Sequence, residues 1–178
     1  SNCLIRLVEN LLSVTRINES TATLVKSPEA VEEIVAESVQ RIKKRFPERS
    51  IKVKVPEEFL MVPMDAVLIE QVLINLLENA IRYSGSNASI LLEVYVEGSF
   101  AVFNVKDNGK GIPEDILKQL FKSSTIKKGS SSDSSRGLGI GLSICKTIVN
   151  VHGGDIFAQN NIYGGAIFTF TLPLKEER

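Results

Sequence analysis

Tryptophan is missing from this chain of 178 residues, and histidine occurs once, as His152. One histidine cannot by itself build a histidine-based metal site or a Ser/His triad. Only two cysteines are present, Cys3 and Cys145, with no CxxC pattern and no Cys/His cluster around them. They read as reduced, structural thiols of a cytosolic protein, not as zinc ligands. An excess of charge is absent too, since 21 basic residues balance 21 acidic ones. No global field draws the chain to nucleic acid or to an acidic membrane, so any anion site must be local. No apolar run reaches the length of a membrane span. What remains, 43% hydrophobic and 24% charged, is the composition of one ordinary globular domain with room for a short appendage.

Residues 2–18 read as a helix, with Leu4, Leu7, Leu11 and Val14 forming a short heptad seam. Such a helix is marginal alone and needs a partner, either its own domain or a second dimerisation helix. Thr21–Lys26 is expected as a strand. Ser27-Pro28-Glu29 is then expected to start a helix, with a capping hydroxyl, a proline and a first-turn acid. Val31, Ile34, Val35, Val39, Ile42 and Phe46 give that helix one apolar face. Ile51–Val55 alternates as a strand, with Phe59–Val62 as its expected neighbour. Asp65 caps a helix to about Tyr83. A hairpin through Glu97-Gly98-Ser99 joins strands at 89–97 and 100–106. A short helix near Pro113, an irregular stretch Lys122–Arg136, a helix from about Gly139 to Val151 and strands at Asp155–Gln159 and Ala166–Leu172 complete the chain. Helices interleaved with antiparallel strand pairs predict an α/β (α+β) two-layer sandwich.

Three blocks in fixed order carry the chemistry. On the helix 65–83, Ile69, Leu73, Leu76, Leu77 and Ala80 share one side, while Asn75, Asn79 and Arg82 fall at i, i+4 and i+7 on the other. Asparagine is a poor helix former, so two on one face need a reason. An amide oxygen suits Mg²⁺ already held by phosphates, Arg82 can fork onto a phosphate, and Tyr83 can lie against base or ribose. Alone, the pair is equally consistent with a solvated helix face.

The second block, Asp107-Asn108-Gly109-Lys110-Gly111, leaves a strand abruptly, and no strand follows it as a simple hairpin would require. A carboxylate there can accept the adenine amino proton while Gly109 and Gly111 keep the backbone close, with Ile112 as an apolar wall. The third block, Gly137-Leu138-Gly139-Ile140-Gly141-Leu142, runs into an amphipathic helix and can offer backbone N–H groups to phosphates. It has neither the Gly-Lys-Ser/Thr of a Walker loop nor the preceding strand of a Rossmann motif. Between these blocks the Ser-rich stretch with Lys122, Lys127, Lys128 and Arg136 reads as a lid carrying positive charge for the polyphosphate.

In order and spacing the three blocks resemble the N, G1 and G2 boxes of the catalytic, ATP-binding domain of bacterial sensor histidine kinases, in the GHKL family that includes gyrase B and MutL. The likeness covers about residues 22–174, and Leu7–Ile17 and Ile148–Gly154 resemble Kdp-type potassium-responsive sensor kinases more specifically. It implies a Bergerat-type mixed sheet with about three helices on one face. Residues 1–20 would be the end of a dimerisation helix and residues 21–178 the catalytic domain. It implies Asn79 as the Mg²⁺ ligand, Asn75 as support for metal and phosphates, and Arg82 on a phosphate. Tyr83 would flank the nucleoside, Asp107 would bind adenine, and Gly137–Leu142 would hold phosphates at a helix start.

Where ATPase relatives carry a glutamate base, this chain has Asn75, and an amide cannot take a proton from water. The resemblance therefore implies a histidine kinase. It would pass the γ-phosphoryl group of ATP to a histidine on a dimerisation domain of the same homodimeric protein, and onward to a response regulator. The implied setting is a cytoplasmic part of a membrane-anchored parent. Alternatives of the same fold are a GHKL ATPase or an anti-sigma-type serine kinase; of a different class, a non-catalytic nucleotide-sensing or dimerisation module. One departure stands out: after Phe121 the family's second phenylalanine and nearby basic residue give way to Lys122-Ser123-Ser124-Thr125. The acceptor histidine is not in this sequence, and His152, beside Gly153-Gly154, reads as part of a structural turn.

Overall fold

The computed structural model describes residues 24–121 and 133–175, with the backbone alone for residues 133–140. The expected helix at 2–18, residues 21–23 of the expected strand Thr21–Lys26 and the lid segment 122–132 lie outside the described residues, while Leu24–Lys26, the other half of that strand, are irregular and the first strand begins at Ser27. The elements are β1 (Ser27–Ala30), α1 (Val31–Arg45), β2 (Ile51–Lys54), β3 (Met61–Met64), α2 (Ala66–Ser84), β4 (Ile90–Glu97), β5 (Phe100–Asp107), α3 (Glu114–Leu117), α4 (Asp133–Val151), β6 (Ile156–Asn160) and β7 (Ala166–Pro173). Five strands form one open sheet in the order β2-β4-β5-β7-β6, and β1 pairs with β3 in a separate two-stranded ribbon. The sheet is mixed, because β2 runs parallel to β4 while every other pairing is antiparallel. This is the expected Bergerat-type arrangement.

Alternation along the strands divides the sheet into two faces. Ile90, Leu92 and Val94, then Ala101, Phe103 and Val105, then Phe168, Phe170 and Leu172 join one buried cluster with α1, α2 and α4. Phe103 and Phe170 stand opposite each other in register and stack with centroids 4.5 Å apart. On the other face Lys54 and Lys106 flank Glu93 at 3.8 and 3.2 Å, and Thr169 Oγ1 donates to Asn104 Oδ1 at 2.6 Å.

Three further expectations need correction. Ser27-Pro28-Glu29 is strand, not helix start: it pairs antiparallel with β3, Pro28 opposite Pro63, and Ser27 Oγ donates to Glu29 Oε1 instead of capping. A two-stranded ribbon has free edges where prolines without an N–H are tolerated, and α1 starts only at Val31. The segment before Asp65 therefore pairs with β1 and not with Ile51–Lys54. Finally, α4 starts at Asp133 instead of about Gly139. Asp133 and the serines after it are helix-start residues, and propagation from a packed segment can carry a helix through glycines at about 1 kcal/mol each.

The ends of α2 and α4 are pinned by the one histidine. After α4, Gly154 N–H returns to Val149 O at 3.0 Å, and a Cβ on Gly154 would fall 1.7 Å from Thr171 O on β7. Buried in that turn, His152 Nδ1–H donates to Ile148 O at 2.7 Å, and its Nε2 accepts the N–H of Asp65 at 3.0 Å. Asp65 in turn caps α2 by accepting from Leu68 N–H at 3.2 Å, while Lys26 Nζ donates to His152 O at 3.1 Å.

An imidazole that donates through one nitrogen and accepts through the other must be neutral. Burial above all, helped by the charge of Lys26, holds its pKa below the ordinary value of 6.5, against the opposing pull of the Ile148 carbonyl and Asp65. A depressed histidine pKa stabilises the fold fully above the unfolded value, and that contribution is lost as pH falls below it. We predict that H152A costs about 2 kcal/mol of unfolding free energy at neutral pH, for two buried hydrogen bonds. Denaturant titrations should also show a fall in wild-type stability between about pH 7.5 and pH 5.5 that is flattened in the variant. An equal slope in both proteins would remove His152 as its source.

Candidate functional site: a carboxylate pocket beside a buried amide helix

Asp107 ends β5 between β4 and β7, and is 8% exposed. Two backbone amides hold one of its oxygens: Gly109 N–H at 3.0 Å and Ala166 N–H at 3.3 Å both donate to Oδ1. Oδ2 has no hydrogen-bond partner among the described residues, so one acceptor is fixed in place and the other is left for a ligand.

The backbone around it leaves no room for side chains. A Cβ on Gly165, where φ is +88°, would lie 1.9 Å from Asp107 O, and one on Gly109 would lie 2.5 Å from Ser84 Cα. Gly111 takes the left-handed conformation, and Ile112 beside it is gripped by Asn160. Ile112 N–H donates to Asn160 Oδ1 and Asn160 Nδ2 donates to Ile112 O, both at 2.8 Å. Ile112 and Tyr83 are half-buried and pack against the core. Asp107, Gly109, Gly111 and Ile112 thus sit in one rigid corner braced by the β6–β7 turn.

The amide helix differs from the expected two-sided pattern. Every residue of α2 from Leu68 to Ile81 is buried, so Asn75 at 0% and Asn79 at 2% exposure are not on a solvated face. On one side α1 covers the helix with charge: Arg41 Nε lies 2.9 Å from Glu70 Oε1, and Arg45 pairs with Glu78. On another side lies α4. Gln71 Nε2 donates to Asn75 Oδ1 at 3.3 Å, and Asn75 Nδ2 points at Cys145 Sγ at 3.7 Å. Arg82, near the helix end, is exposed.

Contacts between α2 and α4 run antiparallel, from Asp65 with His152 to Val72 and Asn75 with Cys145. With 1.5 Å of rise per residue on both helices, the C-terminal turns of α2, with Asn79 and Arg82, run alongside the Gly137–Leu142 stretch of α4. Gly137, Gly139 and Gly141 lie inside that helix, not before it. Lys127 and Lys128 lie outside the described residues, as do the side chains of Leu138 and Ile140. Leu142 is wholly buried. At the base of the irregular stretch Lys146 Nζ donates to Phe121 O at 3.0 Å, and the Phe121 ring meets Phe168 edge-on at 6.4 Å.

Two contributors escaped the sequence reading. Asn160 falls just past the expected strand Asp155–Gln159, and its partner Ile112 is 48 positions away. Cys145 reads as an isolated thiol, although it faces one of the two asparagines. No local pattern marks either one.

Residues 64–176 match the family model described as histidine kinase-, DNA gyrase B-, and HSP90-like ATPase. Sensor protein KdpD of Clostridium acetobutylicum is 50% identical over 170 residues, which is 96% of this chain but 19% of that protein. The chain therefore spans about a fifth of the length of this curated relative. The solved catalytic domain of histidine kinase ThkA matches with a TM-score of 0.71 at 27% identity, over 85% of this chain and 99% of that one. ThkA in complex with the response regulator protein TrrA matches with a TM-score of 0.73 at 27% identity, over 98% of this chain and 49% of that one. The chain belongs to the histidine kinase-, DNA gyrase B-, and HSP90-like ATPase family, as a Bergerat-fold catalytic domain of the sensor-histidine-kinase type.

Proposed function

We propose that this domain binds ATP with Mg²⁺ and, within a longer homodimeric protein, donates the γ-phosphoryl group to a histidine on a dimerisation domain. A response regulator then receives the phosphoryl group from that histidine, as the pairing of ThkA with a response regulator suggests. The observation that carries the nucleotide reading is the carboxylate of Asp107, with Oδ1 locked by two backbone amides and Oδ2 open to an exocyclic amine. The rigid corner of Gly109, Gly111 and Ile112 brings backbone and an apolar wall to the ring, and Tyr83 would flank the nucleoside.

The donor set fits a metal that arrives with its phosphates. Among the described residues no group of three or more His, Cys, Asp or Glu could hold one, while Asn79 offers a neutral amide oxygen on a buried helix. Bound there, Mg²⁺ would supply charge neutralisation to the polyphosphate. Asn75 would support the metal and phosphates, Arg82 would contact a phosphate, and Gly137–Leu142 with Lys127 or Lys128 would hold the rest of the chain of phosphates. Phosphoryl transfer needs mainly positioning and charge, and the protein groups on α2 supply both. The amide of Asn75, at the position of the hydrolytic base, cannot activate water, which favours transfer to another group over hydrolysis.

Among the described residues no helix is long and apolar enough to cross a membrane. The likeness to KdpD supports a domain held on the cytoplasmic side of a membrane-anchored parent. Balanced charge gives no support for nucleic acid as a partner.

Two measurements test the proposal. D107N should fold, because an amide oxygen still accepts from Gly109 and Ala166, yet its Nδ2 would face the adenine amine. Calorimetry should find ATP bound roughly 30- to 150-fold more weakly, the worth of a charge-assisted hydrogen bond of about 2–3 kcal/mol; unchanged affinity would sink the pocket. Incubated with γ-labelled ATP, the chain alone should acquire no stable label and release little phosphate over many turnovers. Stable phosphohistidine on it, or sustained phosphate release, would replace the donor reading with another.

A further inference from the structure

Arg49 lies in the turn between α1 and β2, where its backbone N–H returns to Phe46 O at 3.1 Å. Its guanidinium reaches across to the segment that follows α2. Nη1 donates to Gly85 O at 2.6 Å, and Nη2 donates to Ser84 Oγ at 3.2 Å and to Ala88 O at 3.3 Å. A helix C-terminus carries carbonyls without intrahelical partners and the negative end of the dipole, so a forked cation matches it.

That segment, Ser84-Gly-Ser-Asn-Ala-Ser89, contains no apolar side chain larger than a methyl group, and past the buried Ser84 no apolar packing holds it in place. An open cavity of about 390 Å³ runs along it, lined by Ser84, Gly85, Ser86, Asn87, Ala88 and Asn108. Past Ser84, polar contacts set its position. It is also the wall against which the Asp107 corner is built. Gly109 sits so close to Ser84 that a Cβ would be 2.5 Å from Ser84 Cα, and Ser89 N–H donates to Asn108 Oδ1 at 2.9 Å. Gly109 N–H then holds Asp107 Oδ1 at 3.0 Å. Contacts thus run in series from Arg49 to Ser84, from Ser84 to Gly109, and from Gly109 to the carboxylate.

We propose that Arg49 is a positioning residue for the adenine side of the site, acting through Ser84 and Gly109 to fix the Asp107 carboxylate. The inference rests on the nucleotide reading above and assigns it a residue that touches no ligand. Without the guanidinium fork the Ser84–Ser89 wall relaxes into its cavity, and the Gly109 amide, one of the two that hold Asp107 Oδ1, moves with it.

The test uses the 178-residue chain as wild type, R49A, R49K and D107N, with calorimetric titration by ATP·Mg²⁺ and hydrogen exchange without nucleotide. R49A should bind ATP roughly tenfold more weakly, for the loss of several hydrogen bonds to a charged group. Its amides at 84–89 and at Gly109 should exchange faster, with β5 and β7 protected as in the wild type. R49K should recover part of the affinity, because an ammonium can keep one carbonyl but not three acceptors. Wild-type affinity in R49A overturns the inference, and so does a loss of affinity that comes with faster exchange throughout β5 and β7. Should R49A fail to fold, R49K carries the test, and wild-type affinity there overturns it. If wild-type chain fails to bind ATP, or D107N binds it equally well, the nucleotide reading falls; binding that is lost in D107N and kept in R49A removes only the role of Arg49.

Discussion

Burial of α2 from Leu68 to Ile81 is the constraint on which the rest of this structure depends. Between Leu68 and Ile81 every residue is buried, so each polar group on it must find a partner or serve a ligand. Glu70 and Glu78 are met by arginines of α1, and Gln71 turns to Asn75. A buried carboxylate whose partner is removed costs about 3–5 kcal/mol, which ties α1 to α2 through charge as well as through apolar packing. The same burial turns the two asparagines from surface ornaments into placed groups one turn apart, with the Asn75 amide set by Gln71 and Cys145.

A helix so enclosed also transmits position. Its first residue is capped by Asp65, whose own N–H is held by a neutral histidine at the end of α4. Its last residue, Ser84, supports Gly109 and is gripped by Arg49. The far end of the domain fixes how α2 and α4 lie against each other, and the near end fixes where the Asp107 corner stands relative to both. The strands add a third support, because Ala166 on β7 and Asn160 on β6 brace the same corner from behind. Chemistry at this site would depend on alignment held from three directions, which suits a reaction that is mostly positioning.

Much of the fold was legible. The apolar spacing of α1 named its buried face, Asp65 was recognisable as a cap, and the β4–β5 hairpin followed from alternation around Glu97-Gly98-Ser99. Ser27-Pro28-Glu29 misled because its local signals for a helix start are real, and only pairing with β3 overrules them. The partner of β3 was missed because strand pairing is non-local, and nothing in Met61–Met64 says which strand it meets. For α2 the pattern of apolar and polar residues was sound, yet it left a solvated asparagine face as an equal alternative. Instead Asn75 packs against Cys145 of α4, and arginines of α1 meet the carboxylates on the helix's other side.

By itself the sequence determined which chemistry is on offer: two amides at helical spacing, a carboxylate at a strand end followed by glycines, and no second histidine. Periodicity and turn chemistry are local properties, so the elements and their order could be read from neighbours in the chain. Only the tertiary structure decided that Asp107 keeps one oxygen open while two amides hold the other. Tertiary contacts alone bring Asn160 to Ile112, Arg49 to Ser84 and Cys145 to Asn75, over separations of 48, 35 and 70 residues. Hydrogen bonds across such distances leave no period and no motif behind, because they exist only once the sheet and helices have packed.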